Sequence, residues 1–490
     1  MHLIDPTGRS RRAFLSRCGQ LALAGSAMPL ALNLAAMGEA AAQAAPGDDY
    51  KALVCVFLYG GNDYANTLVA FDDDSYARYS RIRGGDGEAG GGIALARAAL
   101  LPTVLAPAQA LADGRQYALH PAMAELAELF NRDGTLAVQL NVGPLIQPLS
   151  RAEYHHPDRS RYRLPPKLFS HNDQQSFWQA CAAEGAATGW GGGLGDLAMS
   201  GSPASLFTCM SVAGNAVFLA GEQALPFQVG SGGAVRIVGV NHQRNHLFGS
   251  TVAKAAMRQL VLEPRAHLLE EEYSRIARRA VQTEARITAA IADGLPADAF
   301  PADNPLADQL RMVARLIRGR AELGVRRQVF FVALGGFDTH DKLSDRHPLL
   351  LAKLSQALAA FQRQMQALGV AGQVTAFTAS DFGRTLSSNG DGSDHGWGGH
   401  QFVLGGAVRG GRFYGAAPPL SVGDTAADRD QWHVGQGRLL PTASVDQYAA
   451  TLARWFGVPD AELDGLLPNL RNFGVDAHGL AYPRDLGFMG

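Results

Sequence analysis

Ala52-Leu53-Val54-Cys55-Val56-Phe57-Leu58-Tyr59-Gly60-Gly61-Asn62-Asp63 is the stretch that decides the fold. Its first eight residues carry no charge and stop at a glycine pair. So short and continuous an apolar run has no polar face for water. It reads as a strand of a parallel sheet buried on both sides. The glycines end it, and Asn62 and Asp63 follow at once. In an open α/β sheet that place, beyond the carboxyl end of a strand, is where ligands collect.

Working outward, the same alternation repeats. Met123, Leu126, Leu129 and Phe130 recur at helical spacing over 121–131, and 135–140 reads as a second strand. Two long helical patterns follow at 265–292 and 305–323, the latter with Leu306, Leu310, Val313 and Ile317 on one face. Residues 328–334 form a strand, 348–368 a helix, 373–378 a strand, and 401–404 a further short one. Ser444 caps a last helix over 444–456. Strands separated by helices predict an α/β fold with a central, mostly parallel sheet and helices on both faces. The glycine-rich stretches at 84–92, 189–195 and 229–233 read as loop insertions in a single domain over 45–490.

Composition narrows the function. The chain has 490 residues, 47% of them hydrophobic, with 43 Lys and Arg against 45 Asp and Glu. That excludes a disordered chain and argues against a nucleic-acid or other polyanion binder. Ahead of the first strand, Ser10-Arg11-Arg12-Ala13-Phe14-Leu15 precedes a weakly apolar stretch over 21–37 and the small-residue pattern Ala42-Gln43-Ala44. This order predicts a twin-arginine signal peptide over 1–44, engagement of the twin-arginine export machinery, and a periplasmic or secreted protein. That route carries folded cargo, often loaded with a metal or cofactor. No later stretch is long and apolar enough to span a membrane. Cys18 falls in the signal, leaving Cys55, Cys181 and Cys209. One pair can oxidise there, and an odd count fits buried free thiols equally well.

The chemistry follows the strands. The strand near 330 runs into Gly335-Gly336-Phe337-Asp338-Thr339-His340, the one near 375 into Ser380-Asp381-Phe382-Gly383-Arg384-Thr385. A glycine-rich loop then carries Asp394-His395-Gly396-Trp397-Gly398-Gly399-His400. Carboxylates crowded at one sheet edge repel unless a cation neutralises them. Asp63, Asp338, His340, Asp381, His395 and His400 are therefore candidate metal ligands. Mixed oxygen and nitrogen donors suit one or two zinc, manganese or similar divalent ions. The plain alternative is that each aspartate caps a helix or turn. Ser170, in Leu168-Phe169-Ser170-His171-Asn172-Asp173, precedes a helical pattern through Phe177, Trp178 and Cys181. It is either a nucleophile at a helix N-terminus or an N-cap. Arg384 can grip a tetrahedral anion or pair with a nearby aspartate. His155, His156, His242 and His246 lack a periodic context and read as surface or structural.

In order along the chain, the twin-arginine segment, Gly60 to Asp63, Leu168 to Trp178, Phe337 to His340, Ser380 to Thr385 and Asp394 to Trp397 resemble a bacterial exported family known as domain of unknown function 1501. That family is related in fold to the alkaline phosphatase and sulfatase superfamily. The resemblance implies a two-metal ester-hydrolysis site along the carboxyl edge of the sheet, taking a small anionic ester. Asp63 would be the first metal aspartate, Ser170 the nucleophile, Asp338 and Asp381 later ligands, and His395 or His400 the final histidine. Two departures stand out. Phe382 occupies the position of a superfamily histidine, and His340 follows Asp338 by two residues rather than four. Either the chain is a metal-dependent hydrolase, or it is a non-catalytic binding or structural module that keeps the fold.

Overall fold

The computed structural model describes residues 49–84, 92–199, 205–237, 239–240, 246–475 and 481–490. The expected signal segment, Cys18, His242 and most of the glycine-rich stretch at 84–92 lie outside them.

The apolar run that opened the reading is strand β1, Lys51–Tyr59. The remaining strands of its sheet are β4 (Leu136–Gly143), β5 (Cys209–Ser211), β6 (Phe227–Gln228), β7 (Arg327–Gly335), β8 (Val374–Ser380), β9 (Gly399–Gly405), β10 (Arg412–Tyr414) and β11 (Ala443–Ser444), while β2 (Leu68–Ala70) and β3 (Tyr117–Leu119) form a separate antiparallel pair. The nine-stranded sheet has the order β10-β4-β9-β8-β1-β7-β5-β6, with β11 also on β4. All its pairings are parallel except those of β9, which runs antiparallel to both β4 and β8. The chain is therefore an α/β protein with a central, mostly parallel sheet.

Side-chain alternation on β1 shows why both faces must be covered. Val54, Val56 and Leu58 share one core with Leu306, Leu310, Val313 and Ile317 of the helix Pro305–Arg318 and Leu351, Leu354 and Leu358 of the helix Leu343–Ala367. Leu53, Cys55 and Phe57 enter a second core with Trp178, Trp190, Tyr448 and Leu452, on the helices His171–Ala180, Trp190–Met199 and Val445–Phe456. Ser444 caps the last of these as expected, in a reciprocal box with Gln447. The helix expected to open at Pro348 starts earlier, at Leu343, with Pro348 inside its second turn. Cys55, Cys181 and Cys209 are all buried free thiols. Among the described residues no helix is long and apolar enough to cross a membrane.

Register sets the site. Tyr59 at the end of β1 lies beside Gly335 at the end of β7, and Leu58 beside Ser380 at the end of β8. The segments after these three strands consequently emerge at one edge. Gly60 lets them close up: its φ is +115°, and a Cβ there would stand 2.3 Å from the backbone nitrogen of Asp338.

Candidate metal centre

The helix His171–Ala180 begins beside this edge, and its first residue turns out to be central. His171, Asp338 and His395 each offer a ligand atom within 4.8 Å of the others. His340 joins from one side, its Nε2 2.9 Å from His395 Nε2 and 3.2 Å from Asp338 Oδ1. His395 Nε2 is 3.4 Å from Asp338 Oδ1, and His171 Nε2 is 3.5 Å from Asp338 Oδ2. Ligand atoms about 2.0–2.2 Å from a zinc-sized ion stand about 3.3 Å apart in a tetrahedral shell. The four separations of 2.9–3.5 Å are of that order, and His171, Asp338 and His395 are the three whose ligand atoms all lie within 4.8 Å of one another.

The hydrogen-bond partners fix which imidazole nitrogens carry protons, because oxygens without hydrogen can only accept. His171 Nδ1 donates to Asp381 Oδ2 at 2.6 Å, His340 Nδ1 to Asp394 Oδ1 at 3.0 Å, and His395 Nδ1 to the Phe169 carbonyl at 2.7 Å. Each Nε2 of a neutral ring is thus left with its lone pair. With all three rings neutral, three lone pairs and a carboxylate would face one another and repel unless a cation lay between them; a protonated Nε2 would instead bond the Asp338 oxygens 3.2–3.5 Å away. Histidine ligands to metals are commonly oriented by such outer partners. Burial of His395 lowers its pKa, although its bond to Phe169 works the other way, so this ring favours the neutral form. The bond to Asp381 raises that of His171 against the effect of burial. For Asp338 burial works upward, but the hydrogen bond and charge of Arg384, followed by His171 and His340, hold the carboxyl below its usual range.

The surrounding residues clamp this geometry. Asp381 Oδ2 also accepts from Gly60 N at 3.1 Å and Gln175 Nε2 at 2.8 Å, while its buried Oδ1 has no partner. Phe169 holds a left-handed backbone (φ 73°) from which its carbonyl meets His395. Arg438 lies over the Phe169 ring and donates to the His395 carbonyl at 2.8 Å. Phe382 stacks against both His171 and His395, with ring centres 4.9 and 4.6 Å away. The ring makes an apolar wall behind two imidazoles. The opposite side is open: the side chains of Asp338 and His340 are 47% and 43% exposed.

A family described as "Protein of unknown function (DUF1501)" matches residues 50–466, which include the whole cluster. The chain belongs to DUF1501. No curated protein matches it.

Set beside the DUF1501 motifs, the candidate residues divide into two groups. Asp338, His340 and His395 converge. Asp381 stands one step behind, as the partner of His171. Asp63 does not join them: it is fully buried, caps the short helix after β1 through Asn66 N, and pairs with Arg83 at 2.9 Å. Ser393 Oγ adds a 2.6 Å bond to the same carboxylate. An internal guanidinium thus supplies the charge that an ion would have supplied. His400 also stands apart, on β9 rather than in a loop. Strand alternation turns its ring into the core against Tyr64 and Tyr117, and its Nδ1 accepts from Asn141 N at 3.1 Å. Ser170 holds the N-cap position, yet its hydroxyl makes no cap bond and donates to Asp173 at 3.0 Å. Arg384 is enclosed, with bonds to Asp338, the Gly60 carbonyl and Ser393, so it positions Asp338 and has no face left for an anion.

His171 is the member of the cluster that sequence reasoning passed over. It sits one position beyond Ser170 in a motif already singled out. The signal was an imidazole at a helix start near the sheet edge, read only for its neighbouring hydroxyl.

Three buried histidines lie elsewhere and make a separate prediction. Burial lowers the pKa of His347 and of His400 to about 3, and that of His120 to about 4. Unfolded, each titrates near its ordinary value of about 6.5. The folded pKa values are depressed, so stability is full above about pH 6.5 and falls as the pH drops toward the folded values. The expected loss between pH 7.5 and 4.5 is on the order of several kcal/mol. Urea midpoints across that range measure it. A midpoint that does not move would contradict the neutral, buried assignment.

Proposed function

We propose that this DUF1501 chain is an exported hydrolase of phosphate or sulfate esters, built on one divalent cation held by His171, Asp338 and His395, with His340 beside them. The observation that carries the reading is the convergence of the Nε2 atoms of His171, His340 and His395 on the Asp338 carboxylate, at 3.2–3.5 Å. Nitrogen and carboxylate donors together favour zinc, manganese or iron over calcium. A dication bound there supplies Lewis acidity toward an ester oxygen.

The chain's own residues prepare the site. Asp381, Asp394 and the Phe169 carbonyl hold the Nδ1 protons and so keep each Nε2 aimed inward. Arg384 fixes Asp338, and Phe382 keeps water from one side of the imidazoles. A small anionic ester approaches from the exposed side, over Asp338 and His340. Kinship with the alkaline phosphatase fold is supported by the mostly parallel sheet and the cluster at its carboxyl edge. The single-cation form departs from the two-metal pattern because Arg83 already neutralises Asp63. Export through the twin-arginine pathway rests on Arg11, Arg12 and the Ala42-Gln43-Ala44 pattern.

A second reading, a cation-holding module without catalysis, is favoured by two observations. The Ser170 hydroxyl is committed to Asp173, and Arg384 is closed to ligands. Metal analysis of the exported protein, with a panel of aryl phosphate and sulfate esters, separates the two. One bound dication and turnover abolished by His395→Ala are expected. Bound metal with no turnover on any ester leaves the module. A metal-free protein that stays inert with added zinc or manganese removes both.

A further inference from the structure

Away from the cluster, the helix Thr251–Leu262 packs against the first half of the helix Leu268–Ala290. Their shared interior is small, with Val240, Val261 and Ala277 buried in a cluster separate from the two main cores. The outer side of the longer helix is a different matter. Leu269, Tyr273 and Ile276 are 72%, 65% and 57% exposed, and Ala280 continues their line. The spacing of four, three and four residues is that of alternating core positions in a coiled coil. Large apolar side chains arranged in such a stripe call for a partner.

The charges beside the stripe say which partner. The helix is acidic at its start, with Glu270, Glu271 and Glu272, and basic further on, with Arg275, Arg278 and Arg279. Glu271 pairs internally with Arg278 and Glu272 with Arg275. In an antiparallel pair of these helices, Leu269 faces Ala280 of the other copy and Tyr273 faces Ile276. The same register places Glu272 beside Arg279 on both sides of the two-fold axis, the flanking positions that set orientation in coiled coils. A parallel pairing would instead set the acidic start of one helix level with the acidic start of the other, and would pair Glu272 with no basic flanking residue. We propose that this face is a self-association surface, and that two copies of the chain pair antiparallel through Leu269, Tyr273, Ile276 and Ala280. An isologous two-fold contact needs such self-complementarity, and the charge gradient along this helix provides it.

Sedimentation velocity on the full exported chain over a concentration series tests this, with far-UV circular dichroism as the control for folding. A dimer is expected, and Ile276→Glu should weaken it about 30-fold or more. Arg279→Glu alone should weaken it by like-charge contact with Glu272 of the other copy. Combining Arg279→Glu with Glu272→Arg should recover most of the loss. A monomer at every concentration overturns the proposal. So does a dimer indifferent to Ile276→Glu, or a charge reversal without recovery. A monomer that binds phospholipid vesicles through the same residues would assign the face to a membrane surface, which overturns it equally.

Discussion

His171→Ala is expected to lower the affinity for zinc by more than the about 10–100-fold that loss of an outer partner costs. The reason lies in its position. The substitution removes one of the converging Nε2 lone pairs, and it does so at a side chain 28% exposed, where no packing cavity of consequence opens. Asp381→Asn is the companion variant. It leaves His171 in place but replaces the carboxylate that holds its Nδ1 proton at 2.6 Å. The expected loss there is the smaller one, about 10–100-fold, or about 1.4–2.8 kcal/mol. Competition against a chromophoric chelator reads both affinities, and circular dichroism reports folding. Wild-type stoichiometry and affinity in His171→Ala would mean that His171 is not a ligand, which overturns the centre as proposed. Equal losses in the two variants would mean that Asp381 is itself a ligand, through its unpartnered Oδ1.

Arg83→Met should cost the largest amount of stability, about 3–5 kcal/mol, the range for removing one partner of a buried ion pair. Both side chains of the Arg83–Asp63 pair are fully buried. Burial alone would raise the pKa of Asp63, but the charge of Arg83, with His347 and hydrogen bonds from Ser393 and Arg83, brings it below the ordinary value. Without the guanidinium, burial prevails and the carboxyl takes up a proton in the folded state. Its folded pKa then exceeds the unfolded one, so stability is lost as the pH rises through the folded value. The deficit of Arg83→Met relative to the wild type should therefore be greater at pH 8 than at pH 5. Adding Asp63→Asn should recover part of it and remove that pH dependence. Denaturant titrations at the two pH values measure both effects. A deficit below about 1 kcal/mol, or one equal at the two pH values, would mean that Asp63 is not neutralised by Arg83.

The sequence was informative wherever the deciding physics is local. Eight uncharged residues stopped by Gly60-Gly61 are short for a helix and read as a doubly covered strand, and β1 spans them. Ser444 with Gln447 announces a helix start because the cap is a contact over three residues. The strand ends after β1, β7 and β8 were legible as the edge where polar side chains gather for the same reason. Errors arose where a partner lies far along the chain, or where an element began earlier than its apolar pattern showed. His400 was placed in a glycine-rich loop, but β9 begins at Gly399, and one residue of strand is enough to turn the ring into the core.

From its own order of residues the chain determined an α/β architecture and the edge at which polar side chains gather. Periodicity and glycine punctuation act over a few residues and survive in any context. Which of those side chains face one another was decided only in three dimensions. Asp63 is neutralised by Arg83, and His171 is aimed by an aspartate 210 positions away, beyond six intervening α-helices and four strands of the described residues. Charge pairing depends on distance through space, and the path of the chain does not fix that distance until the sheet has formed.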